Sequence, residues 1–118
     1  MSMEQRRARR VKDELTLTVS YFTNAGENKI LHILSRDISS TGVRVRTPDF
    51  VPVGTKLKIE AALEQPRRAV TVVGVVRWIH EASGVAMYEA GIEFENLTPE
   101  ATALLDEYVR QKNKNEQG

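Results

Sequence analysis

From Leu15 the chain alternates with period two: Leu15, Leu17, Val19 and Tyr21 are interleaved with Thr16, Thr18, Ser20 and Phe22. That alternation predicts a half-buried strand. Asn24-Ala25-Gly26-Glu27-Asn28 supplies a turn, and Lys29–Asp37 reads as the returning strand of a hairpin. Gly42–Thr47 alternates again, with Val43 and Val45 on one face and Arg44 and Arg46 on the other. Pro48, Pro52 and Gly54 then break the chain. Thr55–Leu63 sets Leu57, Ile59, Ala61 and Leu63 against Lys56, Lys58, Glu60 and Ala62. After the turn at Gln65-Pro66-Arg67, Ala69–His80 is a long β-branched run, buried for much of its length. A Ser83-Gly84 turn leads into Val85–Glu95, with Ala86, Tyr88, Ala90, Ile92 and Phe94 on one face. Six short strands with no helix between them predict an antiparallel barrel or sandwich. Closing the sheet would remove the exposed edges that invite aggregation.

The period changes after Leu97. Thr98 is placed to cap a helix, Pro99 suits its first position, and Glu100 complements its dipole. Ala101, Leu104, Leu105, Tyr108 and Val109 follow the spacing of one apolar helical face, which must pack on the barrel or on a partner. The chain therefore divides into an Arg-rich flexible arm over residues 1–12, one folded domain over 13–112, and a polar, disordered tail over 113–118.

Composition narrows the function classes. The chain has 118 residues, enough for one core, and it has no cysteine, which excludes disulfides, thiolate catalysis and Cys-containing zinc sites. Its longest apolar stretch, Val72–Val76 with Gly74 inside, is far shorter than the roughly 20 residues of a membrane helix. The charged N-terminus is not a secretory signal, so a cytoplasmic location is expected. Arg6, Arg7, Arg9, Arg10 and Lys12 against Glu4 give the arm a balance of +4; since the whole chain carries +1, residues 13–118 carry −3. A basic arm ahead of a mildly acidic body suits a compact anionic ligand better than long nucleic acid, which calls for a basic stripe on the folded body.

Catalytic constellations are missing from the sequence: no phosphate-binding glycine loop, no nucleophile elbow, no His-Glu-x-x-His. His32 and His80 lie far apart in expected strands and read as surface or barrel-rim positions, and Glu89, Glu93 and Glu95 read as solvated outer positions. Neither an enzyme nor a metal protein is expected. Two segments stand out. Gln5–Val11 carries four arginines, whose planar forks match phosphates or the O6/N7 edge of guanine; a solvated basic terminus has the same composition. Asp37-Ile38-Ser39-Ser40-Thr41-Gly42 offers acceptors and donors for a base edge; an ordinary Asx/Ser turn has that composition too.

Together these segments spell Arg-x-x-x-Arg before the first strand and Asp-x-Ser-x-x-Gly after the second. In this the chain resembles the PilZ domain family. Arg6 and Arg10, followed by Val11, match the first motif; Asp37, Ser39 and Gly42 match the second, followed by Val43-Arg44-Val45. Val75–Ile79, Gly91–Phe94 and the helix Pro99–Gln111 extend the resemblance from Glu4 to Gln111. The resemblance implies a six-stranded antiparallel β-barrel with a C-terminal α-helix, and a bacterial receptor for the second messenger cyclic di-GMP. It implies that Arg6 and Arg10 grip phosphates and guanine edges, that Asp37 and Ser39 hold a guanine, and that Gly42 shapes the loop. Arg7 and Arg9 would assist by charge or stacking. Trp78 is expected first in barrel packing and second beside the ligand, and Arg44 and Arg46 at the rim. Ligand capture would order the arm and signal to a downstream protein, with the C-terminal helix as its expected contact. The alternative is a PilZ-like adaptor that binds protein and no nucleotide.

Overall fold

A computed structural model describes residues 11–12, 15–64, 67–84 and 86–117. The strands are β1 (Val11–Lys12), β2 (Thr16–Phe22), β3 (Asn28–Ile38), β4 (Gly42–Thr47), β5 (Lys56–Glu64), β6 (Arg67–Glu81) and β7 (Tyr88–Glu95), followed by α1 (Pro99–Gln117). Every pairing is antiparallel. The order β3-β2-β5-β6-β7-β4 returns to β3 through a β3–β4 pairing, so β2 to β7 close into a six-stranded barrel. Closure decides for the barrel over the sandwich.

The alternation works as expected in β2, β4 and β5, which turn Leu17, Val19 and Tyr21, Val43 and Val45, and Leu57, Ile59, Ala61 and Leu63 into one core. Their intervening residues face outward. The β2–β3 turn is held by the Gly26 N–H donating to the Thr23 carbonyl at 2.9 Å, with Gly26 at φ 84°. A side chain rarely adopts that φ, so glycine belongs there. β7 begins at Tyr88, not Val85, and leaves Ala86 exposed in the preceding bend.

Thr98 caps α1: its Oγ1 accepts from the Ala101 N–H at 3.0 Å and its carbonyl from the Thr102 N–H at 3.0 Å. Ala101, Leu105, Tyr108 and Val109 are buried in the same cluster as the barrel interior, with Leu104 packed against it. The barrel therefore covers the apolar face of the helix. The helix runs to Gln117, past the boundary expected at 112, because no proline or glycine interrupts it before Gly118. Glu107 also holds Gln111 one turn on, at 2.8 Å. Among the described residues no helix is long and apolar enough to cross a membrane.

Candidate functional site

Two irregularities in the barrel re-aim side chains. In β3, Ile33 and Ser35 point inward, and strict alternation would send Asp37 after them. The register instead shifts between Ser35 and Asp37, so that Asp37 lies opposite outward-facing Arg44 and Ile38 turns into the core. In β6, Val70, Val72 and Val76 point inward, and the register shifts between Val76 and Trp78. Trp78 then lies opposite Gly91 on the outer face, and Ile79 turns toward the core. An extra residue in one strand reverses the phase of everything beyond it. This overturns the expectation that Trp78 packs in the barrel: it is 40% exposed.

The consequence is a row across four strands of the outer surface. Asp37 of β3 is paired with Arg44 of β4, Arg44 with Gly91 of β7, and Gly91 with Trp78 of β6. A Cβ on Gly91 would fall inside the Trp78 indole, so the ring lies directly on the Gly91 backbone. The indole is also stacked on His80, with centroids 5.1 Å apart and planes 13° from parallel. Around the row is an open concavity of about 610 Å³ lined by Asp37, Thr41, Gly42, Arg44, Arg77, Trp78 and Glu93 among others. That volume is within the range of small-molecule sites.

Charge inside the concavity is internally paired. Arg44 Nη2 is 2.7 Å from Asp37 Oδ2, and Arg77 Nε donates to Glu93 Oε1 at 2.6 Å. Asp37 is only 5% exposed, whereas both members of the second pair are more than half exposed at the side chain and contribute little stability. The concavity lining thus has no excess charge, and in the sequence the positive excess lies in residues 1–12.

The loop between β3 and β4 is tied by its own motif. Ser39 is fully buried; its Oγ accepts from the Thr41 N–H at 3.1 Å and lies 3.1 Å from Thr41 Oγ1, while its N–H donates to the Gly42 carbonyl at 2.9 Å. The loop is fastened to β7 by the Phe94 N–H donating to the Thr41 carbonyl at 2.9 Å. Gly42 faces Glu93 across the β4–β7 ladder, where a Cβ would stand 2.5 Å from the Ile92 carbonyl oxygen. Glycine is required there by close approach of the next strand.

Of the residues singled out in the sequence, Asp37, Gly42, Arg44 and Trp78 meet at the concavity, and Ser39 lies behind it in the loop. Arg46 is one pleat further along β4, pairing Glu89 at 3.3 Å on a different part of the surface. Arg6, Arg7, Arg9 and Arg10 lie outside the described residues. The two residues that follow them do not: Val11 pairs with Ile38 and Lys12 with Asp37. The segment expected as a free arm thus ends in a short strand beside the Asp37–Gly42 loop. Arg77, Glu93 and Gly91 were missed in the sequence. Gly91 carried the usable signal, since a glycine inside a strand marks a close approach.

The sequence matches the PilZ domain over residues 4–111. Comparison with curated proteins finds no significant match. Among solved structures, the Bacillus subtilis inhibitor of motility MotI/DgrA superposes with a TM-score of 0.82 at 18% identity, covering 95% of this chain and 53% of that one. The PilZ domain of Escherichia coli YcgR with c-di-GMP gives 0.72 at 16% identity, covering 96% and 95%. The K. pneumoniae MrkH–c-di-GMP complex gives 0.72 at 17% identity, covering 94% and 53%. At these identities the likeness is one of fold, and the chain spans about half the length of the Bacillus and Klebsiella proteins. The family match covers nearly the whole chain, and with the closed six-stranded barrel and its terminal helix the chain belongs to the PilZ domain family, a family of c-di-GMP receptors.

Proposed function

We propose that this chain is itself a c-di-GMP receptor, with the ligand bound in the concavity between the Arg-rich segment and Trp78. The observation that supports this reading best is the register of Val11 with Ile38. Arg10 is bonded to Val11, and Ile38 lies between Asp37 and Ser39, so the residue that follows the first motif pairs with one inside the second, 27 positions on in sequence. In this reading Arg6 and Arg10 bind phosphates and guanine edges, with Arg7 and Arg9 adding charge. Asp37 accepts from the donor edge of a guanine, Ser39 and Gly42 keep the loop in shape, and Trp78 offers an indole face for stacking. No bond is made or broken; the chemistry is capture. Support also comes from the YcgR and MrkH domains of the same fold, whose structures were determined with c-di-GMP.

Signalling follows from ordering. Fixing a backbone residue costs about 1–2 kcal/mol, so only a few arm residues can be ordered by a handful of charge-assisted contacts. The docked segment creates a surface that a partner protein reads. That surface is favoured over the terminal helix because the apolar face of the helix is already covered by the barrel. Titration calorimetry with c-di-GMP, with GTP and Arg10→Ala as controls, tests the receptor reading. Saturable, selective binding that weakens by about 2–5 kcal/mol in Arg10→Ala is expected. Absence of binding would leave the nucleotide-independent adaptor. Hydrogen exchange tests the ordering step, and equally fast exchange of the arm amides with and without ligand would refute it.

A further inference from the structure

Arg44 and Asp37 are directly opposite across the β3–β4 ladder, with Nη2 2.7 Å from Oδ2 and the carboxylate almost wholly buried. A guanidinium presents adjacent N–H donors on a planar N–C–N frame. The Watson–Crick edge of guanine presents N1–H and the C2 amino group on the same frame. To a carboxylate the two match in donor geometry, the guanidinium adding a charge that the guanine edge lacks. Adenine offers an acceptor at N1 and no donor at C2.

Within its row Arg44 has no second carboxylate, because the residue on its other side is Gly91. Among the described residues its guanidinium is also incompletely satisfied: Arg44 Nε is buried and meets no acceptor there. The ion pair lies at the concavity rather than beneath the core, with the Arg44 side chain 37% exposed. This is a contact that can be exchanged without opening the barrel.

We propose that Arg44 is a built-in stand-in for guanine, holding the Asp37 carboxylate until a base with the same pair of adjacent donors displaces it. The inference rests on the receptor reading above and adds to it a specificity-determining residue. A guanine replaces the bonds it breaks, whereas a base without that edge leaves the carboxylate facing an acceptor, a mismatch that polar sites discriminate strongly. Arg44 therefore sets both the threshold for capture and the preference for guanine, and it is a competitor of the ligand rather than one of its contacts.

The test compares wild type, Arg44→Ala and Arg44→Lys for c-di-GMP and c-di-AMP binding in about 0.5 M NaCl, where the Debye length of roughly 4 Å screens the charge removed with Arg44. Wild type is expected to bind c-di-GMP and reject c-di-AMP. Arg44→Ala is expected to bind c-di-GMP at least threefold more tightly, and Arg44→Lys, which keeps the charge but loses the fork, to fall between. Unchanged or weaker binding by a folded Arg44→Ala overturns the proposal. Should that variant not fold, Arg44→Lys decides it, tighter binding supporting the proposal and equal or weaker binding overturning it. A ligand-free measurement is independent: the Arg44 Nη–H resonances, at the nitrogen that meets Asp37 Oδ2, should be slowed in exchange in wild type and released in Asp37→Ala, and identical signals in the two refute the latch. If wild type binds no c-di-GMP, it is the receptor reading that fails; if wild type binds and Arg44→Ala is no tighter, only the role of Arg44 does.

Discussion

Trp78 lies across Gly91, with the indole occupying the space a side chain on β7 would need. Replacing the glycine must move the ring, because the backbone on which it rests belongs to the β4–β7 ladder. In Gly91→Ala the indole is expected to swing off the sheet and lose its stack on His80. Trp78 is the single tryptophan, so its emission reports the change directly: a red shift and greater quenching by acrylamide. The stability loss should be modest, about 1 kcal/mol, because a half-exposed side chain has somewhere to go. An unchanged emission spectrum would contradict the contact.

Gly42 presents the opposite case. A Cβ there meets the Ile92 carbonyl oxygen at 2.5 Å, and that atom belongs to the paired backbone of β7. Gly42→Ala should cost about 1–3 kcal/mol, as overpacking against immobile neighbours does. A urea titration should show a lower midpoint with an unchanged slope. A wild-type midpoint would mean that β4 and β7 are not that close.

The Ser39 hydroxyl accepts from the Thr41 N–H at 3.1 Å inside a fully buried position. Ser39→Ala removes that acceptor and should destabilise by about 1–3 kcal/mol, the range for leaving a buried polar group without its partner. Faster amide exchange at Thr41 than elsewhere in the barrel would locate the loss. If stability falls while exchange at Thr41 is unchanged, the hydroxyl is not what ties the loop.

Tyr21 is buried at the far rim of the barrel, and burial together with the nearby Asp49 carboxylate holds its phenol above the ordinary value. The folded protein therefore keeps the phenol proton more tightly than the unfolded chain does. The stability this gives is fully present below the unfolded-state value of about 10 and is lost as pH rises through the higher folded-state value. Chemical-denaturation midpoints should decline more steeply above about pH 10 in wild type than in Tyr21→Phe. Parallel declines would exclude Tyr21 as the source.

Much of this was legible in the chain. Alternation at Leu17, Val19 and Tyr21, or at Val43 and Val45, is a local property of a pleated strand, and it marks the inward face without knowledge of any neighbour. The Thr98 cap and the 3.6-residue spacing of Ala101, Leu105, Tyr108 and Val109 are equally local, and both stand in the folded molecule. So are the charge of the first twelve residues and the two motifs, which carried the family resemblance.

What the tertiary structure decided is non-local. Whether Trp78 faces the core or the solvent depends on a register shift between β6 and β7, and Asp37 depends in the same way on β4. Neither shift has a mark in the residues around it, because a bulge is a mismatch between two strands and not a property of one. The closure of β3 on β4 likewise turned a choice between two architectures into one barrel. The need for glycine at positions 42 and 91 arises only when another backbone or an indole arrives beside it. A one-dimensional pattern records which faces are apolar; which residue an irregular strand turns outward is determined by its neighbours.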